Sequence, residues 1–146
     1  MRRKHNLLIG ERTAEKVKLH VGAAMADLDE PPEDYEVRGS DVVTGIPKTV
    51  RINYKEISGA LEKSVLKIEE AILKALEMSP PELSADIYDN GIYLTGGGAL
   101  LRGLDKRLMQ KTNLPIHIAE DPLQAVVRGT GIALQNLDSY KRVLMS

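Results

Sequence analysis

The chain has no cysteine, no tryptophan and no phenylalanine, and five tyrosines are the only aromatics among its 146 residues. Without cysteine there is no disulfide, no thiolate zinc site and no cysteine nucleophile, a composition that suits a reducing, cytoplasmic setting. Without interleaved aromatics there is no stacking platform for single-stranded nucleic acid. The core has to be built from leucine, isoleucine, valine and alanine. A formal net charge of −1 gives the chain no field with which to capture DNA, RNA or anionic lipid, so no nucleic-acid partner is expected. No apolar run approaches the roughly 20 residues of a membrane-spanning helix. Arg2-Arg3-Lys4 is not followed by an apolar stretch long enough for a signal peptide. The length suits one domain or two small subdomains. A chain of this size buries roughly 70% of its unfolded surface, enough for a real core.

What is present is periodicity. Residues 13–28 read as a helix, with Ala14, Val17, Val21, Ala24, Met25 and Leu28 on one stripe and Thr13 as its N-cap. An acidic loop follows, holding Asp27, Asp29, Glu30, Glu33 and Asp34 around Pro31-Pro32. Residues 35–43 and 48–54 read as strands joined by Thr44-Gly45-Ile46-Pro47, a hairpin pattern. Residues 54–78 form the clearest helix. Ile57, Leu61, Val65, Ile68, Ile72 and Leu76 step by three or four, and Glu62, Lys67, Glu70 and Lys74 are expected to face away. Asn53 with Glu56 fits a capping box. Ser79-Pro80-Pro81 ends this helix, is the best internal boundary and starts a shorter helix through Tyr88. The pattern then becomes strand 91–95, helix 100–111, strand 116–119 and helix 122–137, with Asp121-Pro122 as N-cap and first-turn pair. Two strands around a helix suggest a parallel βαβ unit. A sheet of two strands would ordinarily continue into strands not in this sequence.

The segment Gly91-Ile92-Tyr93-Leu94-Thr95-Gly96-Gly97-Gly98-Ala99-Leu100-Leu101-Arg102-Gly103 carries the strongest chemical signal. Glycines between a strand and a helix let a ligand approach the backbone, and helix-start N–H groups suit an anion. It fails the dinucleotide template Gly-x-Gly-x-x-Gly, because Leu101 stands at the third glycine. It fails the P-loop template too, because Leu104 and Asp105 follow Gly103. Ligand contact and a mere tight turn both remain open at this point. Glu15 and Lys18 share a helical face at i, i+3, and side by side they could meet a ribose and a base edge. The spacing alone reads more simply as an exposed ion pair. The acidic loop lacks the alternating ligands and central glycine of a calcium loop. His5, His20 and His117 show no metal spacing. Gly129 and Gly131 interrupt a helical run and read as packing positions. No catalytic residue and no metal ligand is assigned.

Several segments together carry a resemblance: residues 9–18, Pro80-Pro81-Glu82-Leu83 with Asp86-Ile87, residues 91–105, and Ala119-Glu120-Asp121-Pro122-Leu123. In this order they resemble the C-terminal part of the MreB family, bacterial actin-like proteins that determine cell shape. The resemblance runs from about residue 2 to residue 137. It implies an α/β, actin-like (ribonuclease-H-like) ATPase fold, of which the chain would hold part of the second lobe. Residues 1–9 would be a truncated helix and linker. Residues 10–78 would form the small α+β outer subdomain, residues 79–138 a partial inner subdomain, and residues 139–146 a C-terminal tail. By the same resemblance, nucleotide contacts fall on Glu15, Lys16, Val17 and Lys18 of the first helix and on Gly96, Gly97, Gly98 and Ala99 of the glycine turn. The implied cofactor is ATP, with magnesium in the complete protein.

The family's phosphate-binding hairpins and water-orienting glutamate have no counterpart in this sequence, so the chain reads as half of a nucleotide site, without ATP hydrolysis of its own. The resemblance further implies filaments by self-association, contact with the cell-wall elongation machinery, and a cytoplasmic, membrane-associated complete protein whose membrane contact lies elsewhere. A rival expectation is a free-standing interaction domain that regulates full-length filaments without binding nucleotide.

Overall fold

The computed structural model describes residues 1–144. Its elements run α1 (Arg2–His5), β1 (Leu7–Leu8), α2 (Glu11–Val21), β2 (Tyr35–Asp41), β3 (Pro47–Ile52), α3 (Tyr54–Glu77), α4 (Pro81–Asn90), β4 (Ile92–Leu94), α5 (Leu104–Thr112), β5 (Ile116–Ile118), α6 (Ala125–Gln135) and α7 (Leu137–Leu144). The first three strands make an antiparallel sheet in the order β1-β2-β3. β2 and β3 pair from Tyr35 opposite Ile52 to Ser40 opposite Pro47. β4 and β5 pair in parallel, with Ile92 opposite Ile116, and α5 connects them. The hairpin and the βαβ unit expected from the sequence are therefore both present.

Two buried clusters organise the chain. In the first, Leu7, Val37 and Ile52 of the sheet meet Val17 and Val21 of α2 and Ile57 of α3. In the second, Leu104 and Leu108 of α5 pack on Ile116 of β5, Val65 of α3 and Ala24. Every one of these side chains is aliphatic, as the composition required. α3 is the shared beam: Ile57 serves one cluster, Val65 the other, and Leu61 packs against both. Its start is fixed where expected, with Glu56 N–H donating to the Asn53 side chain at 3.0 Å. The reciprocal half of the capping box is absent, because the Glu56 carboxylate turns to Lys4 and His5 instead.

Several expectations need correction. α2 begins at Glu11 with Gly10 as its N-cap and ends at Val21, short of residue 28. Gly22 leaves the helix in an extended conformation, and a Cβ there would collide with Lys18 O. The chain then pairs with a distant segment: Ala23 bridges Arg102, and Ala24 N–H donates to Arg102 O at 2.8 Å. Ala24 thus belongs to the second cluster and not to a continuing helical stripe. No α-helix starts directly after the glycines. Gly97–Leu100 form one 3-10 turn, and α5 starts only after Gly103, which is in the left-handed region at φ 74°. Asp121 does not cap α6. It has φ 62°, residues 121–124 form a turn, and the N-cap is Gln124. The stretch expected as a C-terminal tail, residues 139–146, begins within α7 (Leu137–Leu144), and residues 145–146 lie outside the described residues. Glu62 does not face away from the core side of α3 but bonds Arg107 of α5. A Cβ built at Gly129 or Gly131 meets nothing within 4 Å among the described residues, so neither is held by close packing there.

Candidate functional site

The three glycines occupy the bend between β4 and the 3-10 turn. Gly96 sits at φ 78°, a region in which a side chain is strained. Its N–H donates to Pro122 O at 2.7 Å, so the loop after β5 braces the bend from behind. Ala99 N–H then donates to Gly96 O and Leu101 N–H to Gly98 O, at 3.2 and 3.1 Å. Gly97 and Gly98 N–H donate to no backbone carbonyl outside the turn among the described residues. A Cβ built at Gly98 meets nothing within 4 Å, and one at Gly97 meets only Leu123 at 3.6 Å. The backbone here is bare and approachable.

α2 brings Lys18 to the same place. Lys18 and Leu19 of α2, Leu61 and Ile68 of α3, and Gly97, Gly98, Leu100, Leu101 and Arg102 of the turn line one cleft of about 360 Å³. Lys18 and Gly97 lie 79 positions apart in sequence, yet they share this cleft. Glu15 reaches the rim through its ion pair with Lys18, Nζ to Oε2 at 2.8 Å. Both side chains are about half exposed. At such exposure the pair adds only about 0.3–0.5 kcal/mol to stability, which leaves it free to exchange partners with a polar ligand. The lining is mostly aliphatic, with Lys18, Arg102 and the Gly97–Gly98 backbone as its polar groups. Small-molecule sites have that chemistry: apolar lining for contact area, a few donors for orientation.

The other residues singled out in the sequence are placed differently. Val17 is buried in the first cluster and Ala99 is 4% exposed, so neither offers a side chain to the cleft. Lys16 projects beside Tyr35, Glu36 and Arg38 of β2, on another surface. Its carbonyl accepts a hydrogen bond from His20 Nδ1 at 2.7 Å, and the His20 ring stacks on Tyr35 at 4.3 Å. The acidic loop is tied by single contacts, Asp29 to Lys106 and Asp34 to Arg51.

The sequence reading missed two arginines. Arg102 follows the glycine turn, donates from Nη1 to Leu19 O at 3.3 Å, and joins α2 to the turn. Arg107 of α5 donates to both carboxylate oxygens of Glu62 at 2.7 and 2.8 Å, to Ala24 O at 2.8 Å, and through Nε to Glu69. The bidentate bond to Glu62 raises the arginine pKa further and holds the Glu62 carboxyl below its usual range. One signal was available. Glu62 and Glu69 flank Val65 at i−3 and i+4, so both stand on the core side of α3 and need a cation there.

The architecture matches known structures. MreB 5 of Spiroplasma citri bound to AMPPNP superposes with a TM-score of 0.87 at 36% identity, over 99% of this chain and 43% of that one. A non-polymerising A278D mutant of MamK bound to AMPPNP gives 0.63 at 24% identity and supports the fold alone. These neighbours define the class as a partial actin-like α/β fold. In sequence, the chain is 44% identical over 146 residues to the cell shape-determining protein Mbl of Bacillus subtilis (strain 168). It is 46% identical to the cell shape-determining protein MreB of Escherichia coli (strain K12). It spans 43% and 42% of the length of these two relatives. The family model described as MreB/Mbl protein matches residues 1–142, and the chain belongs to that family.

Proposed function

We propose that this chain supplies one wall of the adenine-nucleotide cleft of an MreB-like filament protein, a wall that binds and orients ATP but does not hydrolyse it alone. The observation that carries the reading is the joint placement of Lys18 with the bare backbone of Gly97 and Gly98 in one aliphatic-walled cleft. The residues fit the group. Bare N–H donors and the absence of any Cβ suit a phosphate or ribose drawn close to the turn. Glu15 and Lys18 at the rim suit sugar hydroxyls and a base edge. Gly96 and Ala99 act by shaping the bend, and Lys16 and Val17 through backbone position. Related solved structures hold AMPPNP and ADP, which supports the nucleotide class.

Phosphoryl transfer needs metal-bridged phosphates and a positioned nucleophile. We assign no residue here to either task; ATP with magnesium belongs to the larger assembly. In that assembly residues 10–78 act as an outer subdomain, residues 79–138 as part of an inner one, and residues 139–146 as a tail. The assembly is a self-associating cytoskeletal filament, cytoplasmic and membrane-associated, that organises cell-wall elongation. A related MamK has been solved as a double helical filament.

The test is a fluorescent-ATP titration of the 146-residue chain. No saturable binding in the micromolar range is expected. Micromolar affinity would overturn the claim that this wall is insufficient alone. A second reading is favoured by the apolar residues on α6, where Val126, Val127 and Leu134 are all more than 60% exposed. It takes the chain as an interaction domain acting on full-length filaments without nucleotide. Gly97→Val in a full-length relative tests the glycine wall: lost ATP affinity supports the first reading, and unchanged affinity would make the glycines a turn only.

A further inference from the structure

Residues of α2, α3 and the glycine turn line the cleft, and each of these elements continues into a group held by one side chain. Arg107 grips Glu62 in bidentate fashion and Glu69 two turns further along α3. Its Nη1 also binds the carbonyl of Ala24, the segment that leaves α2. Arg107 itself rides on α5, which continues from the glycine turn. The main-chain bond between Ala24 and Arg102 lies beside it and joins the α2 exit to the turn. The grip is tightest on one side. The Arg107 and Glu69 side chains are 17% and 6% exposed, so breaking that pair leaves a buried charge unpaired, whereas Glu62, at 45%, meets Arg107 at the edge of solvent.

We infer that Arg107 is a positioning residue: a clasp that sets the width of the cleft by holding α2, α3 and the glycine turn in register. It does not itself line the cleft. The inference rests on the nucleotide reading only for what passes through the cleft; the width itself is measured without ligand, so failure of ATP to bind leaves it standing.

The absence of cysteine allows nitroxide labels at chosen sites alone. One pair, Leu19→Cys with Leu100→Cys, stands on exposed lining residues of α2 and of the glycine turn. A control pair, Arg38→Cys with Thr49→Cys, sits on facing residues of the β2–β3 ladder. Arg107→Lys keeps the charge but cannot make the bidentate grip. The expected result is loss of dipolar coupling across the cleft with the control pair unchanged. A second background, Glu62→Gln with Glu69→Gln and Arg107→Met, removes the clasp without leaving a buried charge, and decides the matter where the lysine variant does not fold. Unchanged cleft coupling overturns the inference. Equal loss from both pairs in both backgrounds also overturns it, because that is general unfolding and not release of a clasp.

Discussion

The two clusters of this chain differ in how completely they are enclosed. The first is closed on itself: a three-stranded sheet, α2 and the start of α3 bury Leu7, Val21, Val37 and Ile52 to 1% exposure or less. The second is covered on one side only. α5 and α3 enclose Leu108 and Ile116, yet Tyr93 and Ile118 of the β4–β5 pair stay exposed. α4 and α6 bury no residue at all. An antiparallel sheet with helices on one face can be satisfied locally, whereas parallel strands are ordinarily covered on both faces. One half of the chain thus encloses its own core, and the other leaves strands and helices exposed.

The largest test of this contrast is Leu7→Ala against Leu134→Ala. Emptying the enclosed site should cost about 3–4 kcal/mol by urea denaturation. The exposed one on α6 should stay within about 0.5 kcal/mol. Comparable losses would show that α6 is packed and the contrast false. Next in size is Arg107→Ala, which leaves Glu69 buried without its cation and should cost about 3 kcal/mol. Thermal unfolding reads it, and a loss under about 1 kcal/mol would mean the ion network is slack. Gly96→Ala comes next, at about 2 kcal/mol, because φ 78° with ψ 176° is backbone that essentially only glycine adopts, even where space is open. Gly98→Ala has open space and no positive φ, so denaturation should show almost no change. A clear loss there would mean the turn is packed, against the reading of a bare wall.

The smallest effect is a titration in the enclosed half. Asp41 accepts from Val43 and Thr44 N–H at the hairpin bend and pairs with Lys48. The Thr44 and Val43 amides, with help from Lys48, lower its pKa from 3.8 to about 2. Because the folded value is the lower one, its stabilising contribution is complete above the unfolded pKa and is lost as pH falls toward the folded one. Amide shifts of Val43 and Thr44 should therefore titrate with a midpoint near 2. A midpoint near 3.8 would mean the bend is open.

How far the sequence could be read follows the same division. α3 was legible because its apolar spacing, its Asn53 cap and its terminating prolines are local signals that agree. The hairpin was legible because Thr44-Gly45-Ile46-Pro47 separates two strand-like runs. The end of α2 was not, because the apolar stripe continues through Ala24 and Leu28, and only the bridge to Arg102 stops the helix. The glycine turn was found, but its 3-10 geometry was not, although Gly103 inside the expected helix was the sign of a break. Lys18 beside Gly97 came from family resemblance; spacing along the chain carries no information about an approach of that kind. The clasp escaped because its partners lie 38 and 45 positions apart; the placement of Glu62 and Glu69 around Val65 calls for a cation without saying which one.

The central claim is that α2 and the glycine turn present one nucleotide-facing wall. Amide spectra of the 146-residue chain recorded with millimolar MgATP test it most directly. The expected result is weak, fast-exchange shifts confined to Glu15, Lys18 and Gly96 through Ala99, with Gly45 and Gly129 still. Shifts absent from those residues, or spread equally over distant glycines, would contradict it.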